Sequence, residues 1–183
     1  MKNFSEFGER QEREDATGQS RANHCDAAWL AGIFDGEGNF HVVRPIKGEH
    51  YVAPQMVITN TSLLMLDKVQ RIVKDLSGYK HNITFVKRND TQEHWKQCYK
   101  IFIARQKTLE AVIEAMLPHL TAKKSQAEEV LIFIRSRLSR KTYHSGYTEE
   151  ELGLKERVKD ARLRPENLTV IRGGVEIERE ALN

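Results

Sequence analysis

Apolar residues fall into blocks whose spacing changes along the chain, and each change of period marks an element. Residues 27–36 are nearly all small or apolar and predict a helix, with Asp26 placed to cap its start. Phe40–Arg44 and Tyr51–Asn60 predict two strands joined through the turn-prone Pro45-Ile46-Lys47-Gly48. From Leu63 onward the period lengthens. Leu63, Leu66, Val69, Ile72, Val73 and Leu76 recur at helical spacing, with Ser62 as a cap before them and Gly78 as a stop after them. Ile83–Arg88 and Lys96–Ala104 predict a second strand pair across the polar stretch 89–94. Thr108 starts a helix that Pro118 stops after Leu117. A last core helix, 121–139, carries Val130, Leu131, Phe133, Ile134 and Leu138.

The order is αββαββα, an α+β domain whose two hairpins form one four-stranded antiparallel sheet. Side chains alternate between the faces of a strand. That assigns Val52, Met56, Ile58, Ile83, Phe85, Ile101 and Ile103 to the helix side. His41, Tyr51, Gln55, Val57, Thr84, Arg88, Lys100 and Phe102 fall on the other face. The core domain spans 25–140. Residues 1–24 have too little apolar periodicity to join it and read as a flexible N-terminal arm. Residues 141–183 form a C-terminal extension with a polar helix near 148–161 and an extended segment Leu168–Ile171.

The length of 183 residues, with 39% apolar and 30% charged, fits one soluble domain plus tails. No stretch approaches a membrane span, and the polar, acidic N-terminus is unlike a secretory leader. Two cysteines, Cys25 and Cys98, supply no zinc or disulfide framework. They are expected as free thiols in a reducing intracellular compartment, whether of an organelle or of a bacterial or phage host. The net charge is +3, but it is unevenly spread. Residues 1–37 carry four basic against eight acidic residues, and residues 38–107 carry twelve against five. The strands therefore lie in the basic part of the chain, as a polyanion-binding surface requires.

Candidate chemistry concentrates at the end of the first helix. Residues 30–38 read Leu-Ala-Gly-Ile-Phe-Asp-Gly-Glu-Gly. Ala28, Gly32 and Gly36 line one helix face at four-residue spacing, so a second helix can approach closely there. Gly36 and Gly38 are expected to break the helix, leaving Asp35 and Glu37 at its negative end. Carboxylates in that position call for a cation. A tightly packing helix with acids at its tip reads as a symmetric metal site built at an interface.

The nine residues together resemble the signature of the LAGLIDADG homing endonucleases. Ile33 and Phe34 stand for its two apolar residues, Gly36 for its alanine and Glu37 for its second aspartate. The resemblance covers about residues 27–140 and implies a sheet that forms a saddle over double-stranded DNA. Only one copy of the signature is present, which implies a homodimer packed through Ala28, Gly32 and Gly36.

Glu37 from each subunit is then the expected metal ligand. The resemblance implies the Gly36 carbonyl as a second oxygen, with Mg²⁺ as the ion and Mn²⁺ or Ca²⁺ able to replace it in binding. Asp35 is expected as a hydrogen-bonding support at the helix end. Asn60 stands at the strand end where relatives carry a water-orienting residue, although Asn-Thr-Ser is also a helix-capping sequence. Lys123 lies in a segment that resembles the one carrying the active-site lysine, with Lys124 as its rival. Relatives often place another basic residue just past the strand-end residue. Here Ser62, Leu63 and Leu64 follow, so that group is absent or comes from elsewhere.

His41, Arg44, Gln55, Arg88 and Lys100 are the side chains expected to meet DNA in the major groove. The implied activity is a site-specific double-strand cut of a long pseudo-palindromic target, made across the minor groove and leaving staggered 3′ overhangs. Two other functions on the same fold stay open: an intron maturase that binds RNA, and a DNA-binding regulator without catalysis.

Overall fold

The computed structural model describes residues 24–43, 52–86, 96–140 and 146–163, and the backbone of two short strands beyond them. Helix α1 (24–37) runs straight into strand β1 (Gly38–Val43). Strand β2 (Ala53–Asn60), helix α2 (Leu63–Ser77), strands β3 (Ile83–Phe85) and β4 (Tyr99–Ile103) and helix α3 (Gln106–Met116) follow. A 3₁₀ turn (Leu117–His119) leads to helix α4 (Lys124–Leu138). Helices α5 (Glu149–Leu152) and α6 (Leu154–Leu163) and a separate two-stranded pair, β5 (Val170–Arg172) and β6 (Val175–Ile177), are the last of the described elements.

The main sheet is antiparallel throughout, in the order β1-β2-β4-β3. Its register lines side chains up in rows across the strands. Phe40, Met56 and Ile103 form one row, and Ile58 and Ile101 lie in the next, with Gly38 and Ile83 at its ends. The large members of these rows are buried with Val42 and Val52 beneath the helices, except Ile83, which is half-buried. The opposite face presents the row Asn39, Val57 and Phe102, the pair His41 and Gln55, and the row Thr59, Lys100 and Thr84. This is the alternation expected of a sheet with one covered face.

Phe85 departs from that assignment. It lies 58% exposed although its position in the alternation puts it inward. Phe85 is the last residue of a three-residue strand at the sheet's edge. Strand β1 begins two residues before its expected start, at Gly38, and β2 begins at Ala53, two residues after its own. Arg44, Tyr51 and the 45–48 turn lie outside the described residues, as do Arg88 and the arm up to residue 23.

Three helix starts also differ from expectation. Helix α1 is already formed at His24, so Asp26 is inside it and approaches Lys68 at 3.9 Å instead of capping. Helix α3 begins at Gln106 after an Arg105 that makes no side-chain cap, and Thr108 is buried within it. Helix α4 begins at Lys124, because residues 121–123 form a turn. The core therefore reads αββαββαα, with the 3₁₀ turn between its last two helices.

Helix α2 matches expectation at both ends. Ser62 Oγ accepts from the Met65 amide at 3.3 Å, and Gly78 takes a left-handed φ of 69° that favours glycine. At the end of α1 the deciding glycine is Gly38. Gly36 stays helical, and a Cβ on Gly38 would lie 2.0 Å from the Phe34 ring. That ring packs edge-on to Phe40 at 4.7 Å, so the absence of a side chain at 38 lets the helix turn directly into the sheet.

The C-terminal helices pack against α4. Leu154 and Val158 join the core, and Arg157 donates to Glu129 at 2.7 Å. Between α2 and β4, His81 is 8% exposed, and its Nδ1 donates to the Phe102 carbonyl at 3.1 Å. Among the described residues its Nε2 has no hydrogen-bond partner. Burial, reinforced by Arg105, holds its pKa below the usual histidine value against the opposing Phe102 bond.

The folded state therefore binds fewer protons than the unfolded chain just below the usual histidine pKa, and stability should fall as pH drops through that range. The thermal midpoint should be level above about pH 7 and decline toward pH 5.5, with a flatter profile in His81→Gln. Identical pH profiles for the two proteins would exclude His81 as the source of the slope.

Candidate active site

The tip of α1 and the start of α4 are joined by one side chain. Asp35 Oδ2 accepts from the backbone amides of Thr121 at 2.7 Å and Ala122 at 3.2 Å, and Oδ1 accepts from Lys123 at 3.0 Å. A carboxylate holding three amides in a turn before a helix is a strong, charge-assisted anchor. Lys123 completes the exchange, its Nζ donating to the Asp35 backbone carbonyl. That carbonyl is in the last turn of α1, where a cation also suits the helix dipole. Asp35 therefore fixes the turn that carries Lys123, and Lys123 holds the helix end that carries Glu37.

The lysine is half-buried, with Nζ 5.9 Å from the centre of the Phe34 ring. Burial lowers its pKa below the ordinary lysine value. Asp35 opposes that shift, Arg162 adds to it, and Glu37 opposes it. These four charges thus occupy one neighbourhood. Lys124 is exposed at the first position of α4.

Glu37 is exposed as the last residue of α1, and among the described residues it makes no hydrogen bond or ion pair. Gly32 and Gly36 have open space where a Cβ would stand, and Ala28 is only partly buried. No group of three or more histidine, cysteine or acidic side chains able to hold a metal ion occurs among the described residues. One chain thus offers Glu37 and the backbone oxygens beside it.

Asn60 ends β2, and its Oδ1 accepts from the Ser62 amide at 2.8 Å, which ties it to the start of α2. Lys100 lies on the open sheet face between Thr59 and Thr84, and Thr84 Oγ1 donates to its carbonyl at 3.4 Å. His41 is exposed opposite a half-buried Gln55.

Two residues absent from the sequence reading stand beside this site. Arg162, in the last turn of α6, donates from Nη2 to Asn39 Oδ1 at 2.8 Å, and Asn39 is two residues beyond Glu37. The polar helix was legible, but no local spacing connects two residues 123 positions apart.

No protein-family model matches the sequence, and no curated protein matches it. Solved structures do match. The homing endonuclease I-CvuI, in complex with its target in the presence of calcium, aligns at a TM-score of 0.52 and 20% identity over 76% of this chain and 96% of that one. The LAGLIDADG homing endonuclease I-GzeII, in complex with a DNA target, aligns at 0.50 and 15% identity over 74% of this chain and 43% of that one. The architecture is thus shared with these endonucleases, and in this chain one face of the sheet is left open. The chain has the LAGLIDADG homing-endonuclease fold, with the signature-like stretch running through α1.

Proposed function

We propose that the protein is a homodimeric, divalent-metal-dependent endonuclease of the homing type that cuts a long, pseudo-palindromic double-stranded DNA. The observation that carries this reading is Glu37 at the tip of α1, without a hydrogen bond or ion pair among the described residues, near a lysine anchored by Asp35. The fold shared with DNA-bound homing endonucleases supports it.

The donor set fits a hard cation. Glu37 is an exposed carboxylate, the Gly36 carbonyl is another oxygen, and the space beside Gly36 is open. A second copy, packed through Ala28, Gly32 and Gly36, would bring a second Glu37 near the axis. Bound Mg²⁺ supplies a Lewis acid that activates water and stabilises the leaving oxygen, with Mn²⁺ as a substitute and Ca²⁺ as a binding surrogate.

The chain's own residues then divide the remaining work. Lys123 stabilises charge on the phosphate, and Asp35 positions it. Asn60, held by the Ser62 amide through its oxygen, has its amide N–H groups left to orient water. His41, Gln55 and Lys100 meet base edges from the open sheet face; Arg44 and Arg88, proposed to contact DNA with them, lie outside the described residues. The two strands are cut with a stagger that leaves 3′ overhangs.

The test is incubation of the protein with a pool of randomised duplexes and Mg²⁺, followed by sequencing of the broken ends. Recovery of one family of near-palindromic sites with 3′ overhangs, abolished by EDTA, is the expected result. Tight duplex binding with no cutting of any sequence in Mg²⁺ or Mn²⁺ would refute the nuclease reading.

A further inference from the structure

Helix α6 ends at the proposed active site, and the group it delivers is a cation. Arg162 reaches β1 and donates to Asn39 Oδ1 at 2.8 Å. Asn39 lies on the open sheet face in the row with Val57 and Phe102, two residues after Glu37. The guanidinium therefore stands where the open face of the sheet meets the tip of α1.

Its charge is uncompensated by a close partner. Among the described residues Arg162 forms no ion pair, and its hydrogen-bond partner is a neutral amide. It is near enough to Lys123 for the two cations to oppose one another. The nearby Asp35 is already occupied, its oxygens accepting three backbone amides. The charges of Asp35, Glu37, Lys123 and Arg162 balance formally, and a cation held by Glu37 would tip the neighbourhood to net positive, where an anion is favoured. A guanidinium has five donors in a planar fork, and one of them reaches Asn39. The rest can grip the two non-bridging oxygens of a phosphodiester, the geometry at which arginine exceeds lysine.

The segment after Asn60 supplies no competing cation, since Thr61, Ser62, Leu63 and Leu64 follow before α2 is under way. Among the described residues, the C-terminal helix brings a positive group beside Lys123. Its packing fixes that group's position, because Leu154 and Val158 are buried and Arg157 is bonded to Glu129 on α4.

We propose that Arg162 binds the phosphodiester faced by Glu37 and Lys123, with Asn39 holding the guanidinium in place until DNA arrives. This rests on the nuclease reading for the identity of the phosphate as the one that is cut. It makes Arg162 a residue that touches substrate, and Asn39 a positioning residue.

The test compares wild type with Arg162→Ala and Arg162→Lys in two measurements on the full chain. The first is affinity for a random-sequence duplex in Ca²⁺ over a salt series. Loss of a phosphate contact should make the slope of log affinity against log salt shallower by about one per chain in Arg162→Ala, and Arg162→Lys should retain the wild-type slope. The second is single-turnover cleavage in Mg²⁺ at saturating target. Arg162→Ala should cut at least about tenfold more slowly, with partial recovery on adding millimolar guanidinium ion, a rescue that a merely structural role would not show.

Arg162 is exposed, so both variants should keep the wild-type thermal midpoint. An unchanged salt slope in Arg162→Ala overturns the proposal whether or not the protein cuts. A shallower slope in a wild type that never cuts DNA supports the phosphate contact and refutes the nuclease reading. Normal cleavage by Arg162→Ala overturns the proposal and leaves that reading intact.

Discussion

Glu37→Gln should slow strand cleavage by about a hundredfold to a thousandfold while DNA affinity in Ca²⁺ stays within a few fold of wild type. The substitution removes one negative charge and almost no volume. Glu37 is exposed and has no partner among the described residues, so the fold has little to lose by it. A metal ion held by few ligands has much to lose, since each carboxylate is a large share of its charge compensation. The lysine neighbourhood changes in the same direction, because Glu37 favours the protonated Lys123. The deciding comparison is single-turnover cleavage of a fixed target by both proteins, with circular dichroism as the folding control. Cleavage within threefold of wild type would remove Glu37 from the metal site.

The second large effect is on stability. Glu151 is 3% exposed, and it gathers the junction between α4 and α5. Its Oε1 accepts from Arg140 at 2.6 Å and from Ser136 Oγ at 3.1 Å. Its Oε2 accepts from the Thr148 amide at 3.0 Å and lies 3.6 Å from Arg137. The Glu151 amide in turn donates to Thr148 Oγ1, so the same residue closes a capping box.

Glu151→Ala would strip a buried site of its only negative charge among these partners and leave Arg137 and Arg140 facing each other. Breaking a buried pair from one side costs about 3 kcal/mol or more, a fall in thermal midpoint of roughly 6–12 °C for a chain of this size. Differential scanning calorimetry at neutral pH reads it directly. A fall of less than about 2 °C would mean that the arginines relax into water and that α5 is not clamped by this carboxylate.

Elements whose ends are decided by adjacent residues were legible in the sequence. Helix α2 is the clear case, since Ser62 and Gly78 act on their own neighbours and the apolar period between them is regular. The sheet was legible for a related reason: alternation placed Met56, Ile58, Ile101 and Ile103 on the covered face, where they are fully buried. Alternation failed at Phe85 because it reports which face a residue is on, and not whether a helix extends over that part of the face.

The site was legible only in part. The motif singled out Asp35, Gly36 and Glu37, but nothing in their spacing reveals that Asp35 holds amides 86 to 88 residues further on. The same bond explains why α4 starts later than its apolar pattern indicates. The three residues before Lys124 are held in a turn by a carboxylate from elsewhere in the chain. The glycine that matters for the helix-to-strand corner was also obscured. Gly36 and Gly38 look alike as helix breakers, and the Phe34 ring against Gly38 tells them apart.

The clasp between residue 35 and residues 121–123 also has a consequence for synthesis on the ribosome. A growing chain displays Glu37 early, once the first helix has emerged. Lys123 can take its place only after the turn that Asp35 grips has been made, and Arg162 arrives about 40 residues later still. A chain truncated before that turn carries the acid without the lysine, and its helix end lacks the clasp. On the proposed reading, competence to cut is therefore acquired in steps, the lysine after the acid and the arginine last.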